Sequence, residues 1–472
     1  MPIWIGDRLI LAAPADPEYL RQDPRAILMS AGQAFGTGTH PTSQMCLLEL
    51  QANLQKGDRV LDVGSGSGIL AIAAARLGAG TVVAIDRSVP ACRVAQANVS
   101  RNELAKLVSV VAGTPEVLGP GARFDLVLAN LDTAAKKLQP IKTNYTDISY
   151  LRAMPGKAVF MAGSPTEPAS IAKLDLQSER IEVLHRSTGM MIDAGYLSIP
   201  RAVEFPTEHG LTVHAFFYPQ QNQDCTGPPG ERPPLLVISH GGPTSMVSSK
   251  LDLVVQYWTS RGFAVLSVNY GGSTGYGRAY QLRLRGQWGV VDVDDCVNGA
   301  IHLVESGEVD SDRLIIRGAS AGGYTTLCAL TFRDTFRAGA DYYGVSDLEA
   351  MRKETHKFES RYLDRLIGPY PERRDLYQKR SPINFADNLS CPVIFFQGLE
   401  DKVVPPDQTE KIFNVLSRKG LPVSYLPFKG EQHGFRRAEN IKRTLDAELY
   451  FYSKVFSFGL ADNIEQVMIR NI

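Results

Sequence analysis

The sequence predicts an α/β protein built in two stretches with an all-β segment between them, and three observations carry that expectation. Between residues 58 and 130, and again from 235 onward, short apolar β-branched runs alternate with helical segments, the pattern of a mostly parallel sheet covered by helices. Between these stretches, YTDISYLR, KAVFMAGSPT, SIAKLDLQS and RIEVLHRST read as closely spaced short strands separated by turn residues. A length of 472 residues exceeds what one core holds, so two or three domains are expected.

Composition narrows the partners. Fifty basic and fifty acidic side chains cancel, so nothing in the balance favours nucleic acid, an anionic membrane or an acidic partner, and small molecules or peptides are expected instead. Cys46, Cys92, Cys225, Cys296, Cys328 and Cys391 lie far apart, and none forms the close pair of a zinc site or a dithiol redox motif. They read as reduced thiols. The start of the chain has no basic head followed by an apolar run, and Arg76 interrupts ILAIAAARLGAGTVVAI, so neither a leader nor a bilayer span is expected and the compartment expected is the cytoplasm.

In the first stretch, RVLDVG ends in Gly64-Ser65-Gly66-Ser67-Gly68 directly ahead of a helical segment. Glycines there let a ligand approach the backbone, and a helix N-terminus offers free N–H groups. The next strand, TVVAID, ends in Asp86, placed for its carboxylate to accept hydrogen bonds from ribose hydroxyls. The spacing GxGxG, in place of GxGxxG, favours S-adenosylmethionine over a dinucleotide. Upstream, GQAFGTGTHPTS (32–43) is a second glycine-rich loop able to close over a cofactor.

Together AFGTGTHPTS, VLDVGSGSGILAIAA, VVAID and LVLANL resemble the core of the methyltransferase that modifies a stalk protein of the large ribosomal subunit, over residues 3–133. The resemblance implies an S-adenosylmethionine site contacted by Gly64, Asp86 and Asn130, with Ser43 standing where that family usually has threonine. Three departures are visible. Ser65 replaces the usual cysteine, no counterpart of the family's ribosomal-protein-gripping domain is expected, and the matching strands end at Asn130, short of the usual seven or so. An incomplete Rossmann-like methyltransferase domain over 1–137 follows.

In the last stretch, LLVISH, FAVLSVNY, RLIIRGAS, PVIFFQG and PVSYLPF are strands, and LDLVVQYWTSRG, VDVDDCVNGAIHLVESG and DQTEKIFNVLSRKG helices. Ahead of the first, AVEFPTEHGLTVHAFFYP reads as a hairpin. Gly318-Ala319-Ser320-Ala321-Gly322 follows a strand and opens a helix, as a nucleophile elbow must, because a serine at so sharp a turn needs small neighbours. His240-Gly241-Gly242-Pro243 ends an earlier strand, Asp401 follows a later one, and His433 follows the last. The order Ser320, Asp401, His433 is that of α/β-hydrolases. In that chemistry His433 accepts the serine proton as a neutral base and Asp401 fixes its tautomer, while the N–H groups of Gly242 and Ala321 form the oxyanion hole.

With NYGGSTGYGR, GQWGVVDVDDCV and HKFESRYLD, these motifs resemble the prolyl oligopeptidase family, closest to its acylaminoacyl-peptidase and dipeptidyl-peptidase-like bacterial members, over 140–460. The resemblance implies a hydrolase domain over 201–460 preceded by a partial β-propeller segment over 138–200. Some members carry arginine where Gly271 stands, to hold the peptide backbone. Tyr324 is a candidate for lining the substrate pocket, with a core position on its helix as the alternative.

Asp292, Asp294 and Asp295 suggest a metal cluster less well than acidic residues offsetting a helix dipole, so no metal is expected. His40 suits a turn, and His185, His209, His214, His302 and His356 lack partners at ligand spacing. The expected activity is that of a serine peptidase or esterase, free of cofactor, acting on short peptides or acyl-aminoacyl substrates. The alternatives are an S-adenosylmethionine-dependent protein methyltransferase and a cofactor-binding remnant without transfer activity.

Overall fold

The computed structural model describes residues 2–13, 16–29, 41–86, 88–112, 126–127, 143–154, 156–354 and 362–472. Asn130, the expected seam after it, most of the glycine-rich loop 32–43 and most of HKFESRYLD lie outside the described residues. The chain divides into two compact units, Met1–Ala162 with Ser170–Arg186, and Gly163–Ala169 with Ser187–Ile472.

Among the described residues the first unit holds three sheets. Strands β1 (Ile3–Ile5), β2 (Leu9–Ala12) and β3 (Ala26–Leu28) form a small sheet in that order. Strands β4 (Arg59–Val63), β5 (Thr81–Asp86), β6 (Val108–Ala112) and β7 (Leu126–Val127) form a parallel sheet ordered β6-β5-β4-β7. Such an order places the reversal of strand order beside β4, where α/β sheets bind ligands at the carboxyl ends of their strands. Alanine makes this tight layering workable: Ala71, Ala73 and Ala74 of the helix Ile69–Arg76 are fully buried, and their small side chains let the helix lie close on the sheet. Four parallel strands with helices beside them make this the Rossmann-like region the sequence predicts.

Strands β8 (Asp147–Met154), β9 (Lys157–Gly163), β10 (Ser170–Asp175) and β11 (Ile181–Arg186) form a four-stranded antiparallel meander. Its alternation is clean. Ala158, Phe160, Ala162, Ala172 and Leu174 face one small core, while Met161 and Ile171 pair across strands on the exposed side.

The second unit is one eight-stranded sheet, ordered β12-β13-β15-β14-β16-β17-β18-β19. The hairpin β12 (Arg201–Thr207) and β13 (Leu211–Tyr218) pairs antiparallel onto β15 (Ala264–Asn269). From there β14 (Leu235–Ser239), β16 (Leu314–Ala319), β17 (Ala338–Tyr342), β18 (Val393–Gly398) and β19 (Val423–Phe428) run parallel. Helices cover both faces, and their apolar stripes bury against it; on Ala438–Val455 the buried face includes Ala447, Leu449, Phe451 and Tyr452. This is the α/β-hydrolase architecture the sequence predicts. Strand β17 is absent from the sequence reading, because AGADY lacks the β-branched and aromatic density that marks a strand; its place between β16 and β18 is fixed by neighbours, not by propensity.

Candidate active site

Ser320 stands between β16 and the helix Ala321–Phe332 with φ 58° and ψ −120°, a conformation that non-glycine residues avoid. Its flanking glycines have no room for side chains. An added Cβ at Gly318 would lie 2.2 Å from the Gly322 carbonyl oxygen, and one at Gly322 would lie 2.1 Å from that of Ser239. The elbow therefore packs main chain against main chain and lifts the serine hydroxyl off the end of the sheet.

His433 meets it there. Its Nε2 lies 2.8 Å from Ser320 Oγ and its Nδ1 lies 2.7 Å from Asp401 Oδ2. The Asp401 side chain is fully buried, and its other oxygen accepts the N–H groups of Val403 and Val404 at 2.8 and 2.9 Å, so the carboxylate cannot rotate. The loop carrying His433 is tied by Glu431, which accepts from the Arg436 and Arg437 amides and from Asn440 Nδ2. Its carbonyl accepts the Glu400 N–H, joining the aspartate and histidine loops. The ring of Tyr343 meets the imidazole edge-on at 5.0 Å between centroids.

The His240-Gly241-Gly242 turn lies beside the nucleophile: an added Cβ at Gly241 would come within 3.7 Å of Ser320 Cβ. A role for the His240 side chain is missing from the sequence reading. Nδ1 lies 2.8 Å from the Gly241 carbonyl oxygen, which only accepts, so Nδ1 carries the proton. Burial lowers the pKa of this ring to about 4, leaving it neutral, and Nε2 lies 2.7 Å from Ser273 Oγ, which sits equally close to the Tyr270 carbonyl oxygen. Tyr270 stacks on the ring at 4.2 Å and donates its hydroxyl to the His240 carbonyl. The only signal in the sequence is the histidine's position directly before two glycines, which states nothing about where its ring goes.

Residues 249–459 match the model of the prolyl oligopeptidase family. The chain carries a prolyl oligopeptidase family domain. Residues 1–145 match the ribosomal protein L11 methyltransferase family. Dipeptidyl aminopeptidase BIII of Pseudoxanthomonas mexicana is 34% identical over 215 residues, 44% of this chain and 31% of that protein. The L11 methyltransferase of Chloroflexus aurantiacus is 41% identical over 154 residues, 27% of this chain and 46% of its own. Among solved structures, a puromycin-hydrolyzing peptidase of Mycobacterium tuberculosis superposes with a TM-score of 0.70 at 46% identity, covering 72% of this chain and 52% of that one. The chain thus spans between about a third and a half of the length of these relatives.

Within the prolyl oligopeptidase domain the structure corrects the expectation for Tyr324. The side chain is fully buried, wedged against Trp288 at 4.4 Å, and its hydroxyl donates to the Arg380 carbonyl, so it belongs to the core and not to a pocket wall. At Gly271 an added Cβ would lie 2.7 Å from Val291 Cγ1, so the site does not admit the longer side chain of some relatives without a shift. Among the described residues no group of acidic, histidine or cysteine side chains is arranged to hold a metal. The three aspartates divide: Asp294 pairs with Arg333, whereas Asp292 and Asp295 are buried and hydrogen-bonded to main chain and threonine. Asp292 and Asp294 stand in the first turn of the helix Val291–Glu305, as the dipole reading expects, and burial of Asp292 and Asp295 is what that reading does not include.

In the methyltransferase region, Gly64, Gly66 and Gly68 all have positive φ, and an added Cβ at Gly64 would meet nothing within 4 Å. That open space suits a ligand lying against the backbone. The expected free amides are largely spent, however: Gly64 and Ser65 N–H donate to the Ile85 carbonyl, and Gly66 N–H donates to Asp86 Oδ2 at 2.9 Å. Asp86 also accepts from Ser88 N–H through its other oxygen, which leaves each oxygen a lone pair for a ribose hydroxyl. Ser65 Oγ is buried without a partner among the described residues, and Ser43 is buried on the helix Pro41–Asn53. Asp62, absent from the sequence reading, is buried below the turn with its carboxyl raised to about 7 by desolvation. The residues present fit an adenosyl ligand.

Proposed function

We propose that the chain is a serine hydrolase cleaving amide or ester bonds of short peptide or acyl-aminoacyl substrates through an acyl-enzyme on Ser320. The continuous line of hydrogen bonds from Ser320 Oγ through His433 to Asp401 carries this reading. His433 Nε2 takes the hydroxyl proton as Oγ bonds to the substrate carbonyl carbon. The oxygen that becomes negative is held by the N–H groups of Gly242 and Ala321. Collapse expels the amine, which takes the proton from His433, and a water activated by the same ring then releases the acyl group. Asp401 stabilises the imidazolium throughout. None of these steps requires a cofactor.

Similar structures at 46% and 42% identity are named for puromycin hydrolysis, which makes an aminoacyl amide the first substrate to offer. In this reading residues 201–460 form the hydrolase, 138–200 a single blade remaining from a β-propeller, and 1–137 a methyltransferase-like module. Hydrolysis of puromycin and of aminoacyl, acylaminoacyl and dipeptidyl chromogenic amides by the wild type and by Ser320→Ala tests it; turnover retained in Ser320→Ala would refute it.

A second reading concerns the first unit. The open glycine turn beside Asp86 favours binding of S-adenosylmethionine, which when bound supplies an electrophilic methyl group. Gly64, Asp86, Ser43 and Asn130 would hold it, the last from outside the described residues. Calorimetric titration with S-adenosylmethionine tests this: heat without methyl transfer to protein amines marks a ligand-binding module, and no heat marks a remnant. The partners of the whole chain are, in this account, small molecules and short peptides; no described helix is long and apolar enough to cross a membrane.

A further inference from the structure

One turn of the helix Val291–Glu305 carries two buried carboxylates that the reaction does not touch. Asp292 Oδ1 accepts the Gly289 N–H at 2.6 Å, and Oδ2 accepts the Thr325 hydroxyl at 2.5 Å. Thr325 sits one turn along the helix that begins at Ala321, so this bond fixes the rotation and height of the first turn, from which the Ala321 N–H projects. Asp295 Oδ2 accepts the Gly271 N–H at 2.7 Å, and Oδ1 accepts the Thr207 hydroxyl at 2.7 Å. Gly271 lies in the turn whose two neighbours, Tyr270 and Ser273, grip the carbonyl and the Nε2 of His240. His240 in turn holds the Gly241 carbonyl. Because a trans peptide points its C=O and N–H in opposite directions, pinning that carbonyl aims the Gly242 N–H.

We propose that Asp292 and Asp295 are positioning residues that separately set the aim of the two oxyanion-hole amides, Asp292 acting through Thr325 on Ala321 and Asp295 acting through the Gly271 turn and His240 on Gly242. The proposal rests on the serine hydrolase reading. Two buried carboxylates are a costly way to join loops, since burial raises both to about 6 and each is ionised at pH 8. What the ionised form supplies is two strong acceptors per residue, fixing two segments at once. Asp294, between them, faces outward to Arg333 and serves as the internal control.

The test uses the full chain, with kcat, KM and melting temperature measured for Thr325→Val, Thr325→Ser, Asp295→Asn and Asp294→Asn. Thr325→Val and Asp295→Asn are expected to lower kcat about 10- to 100-fold, less than complete loss of a donor, with KM changed by less than about twofold. Thr325→Ser keeps the hydroxyl and is expected to restore most of the rate, and Asp294→Asn to match the wild type. If the two disruptive variants lower only the melting temperature, with kcat per folded molecule as in wild type, the carboxylates are structural and the proposal is overturned. A rise in KM at constant kcat, or Thr325→Ser as slow as Thr325→Val, also overturns it. A wild type that hydrolyses none of the substrates overturns the hydrolase reading itself, a result distinct from active variants equal to an active parent.

Discussion

His240 Nδ1 donates to the carbonyl of the next residue, Gly241, at 2.8 Å, so a neutral buried imidazole fixes the peptide plane that ends in the Gly242 N–H. Truncation releases that plane. His240→Ala is expected to lower kcat about 100-fold with little change in KM, the cost of losing one oxyanion donor. His240→Asn places its amide nitrogen near the Nδ1 position and is expected to retain more activity than His240→Gln, whose nitrogen reaches the Nε2 position. Steady-state kinetics on a chromogenic amide distinguish the two; the reverse ranking would contradict the assignment.

Asp401→Asn makes a sharper test of the histidine tautomer. The amides of Val403 and Val404 both point at Oδ1 and require an oxygen there, so the new NH2 group must occupy the position that faces His433 Nδ1. The ring then carries its proton on Nε2 and cannot accept one from Ser320. A fall in kcat of about 10,000-fold with an unchanged fold by circular dichroism is expected; a fall below tenfold would remove Asp401 from the triad.

Gly322 is required by the approach of Ser239, whose carbonyl oxygen would lie 2.1 Å from an added Cβ. Since both partners are main chain of the central sheet and the elbow, neither can step aside. Gly322→Ala is expected to cost about 3 kcal/mol or more by denaturant unfolding, at the upper end of overpacking penalties.

Asp341 on β17 sets a pH dependence of stability. Its carboxyl is buried, its Oδ1 fills the space where side chains at Gly323 and Gly344 would begin, and desolvation raises it from 3.8 to about 7. The native state holds this proton more tightly than the unfolded chain does. Its contribution is therefore full below pH 3.8 and is lost as the pH rises through about 7, by at most about 4 kcal/mol. Asp341→Asn removes the ionisation, so its melting temperature relative to wild type should be higher at pH 8 than at pH 5. An equal difference at both values would refute the assignment.

Much of this site was legible because its chemistry is tied to local backbone. Ser320 needs small neighbours at a strand-to-helix turn, and Asp401 and His433 fall after strands whose apolar runs are plain. What stayed hidden depends on contacts between distant segments. His240 reaches Ser273, Asp292 reaches Thr325 and Asp295 reaches the Gly271 amide, and an isolated polar residue carries no mark of such a partner. Strand β17 hides for a related reason: AGADY is shaped to fit glycines on its neighbours, not to favour extended backbone. Tyr324 shows the converse, since closeness in sequence to a nucleophile says nothing about which helical face a side chain occupies.

The central claim is that His433 and the oxyanion amides turn the Ser320 hydroxyl into a nucleophile. Reaction of the full chain with a fluorophosphonate probe, followed by peptide mass spectrometry, tests it most directly. The account predicts one phosphonylated residue, Ser320, with labelling abolished in Ser320→Ala and slowed by orders of magnitude in His433→Ala. Labelling of Ser320→Ala equal to that of the wild type would contradict it.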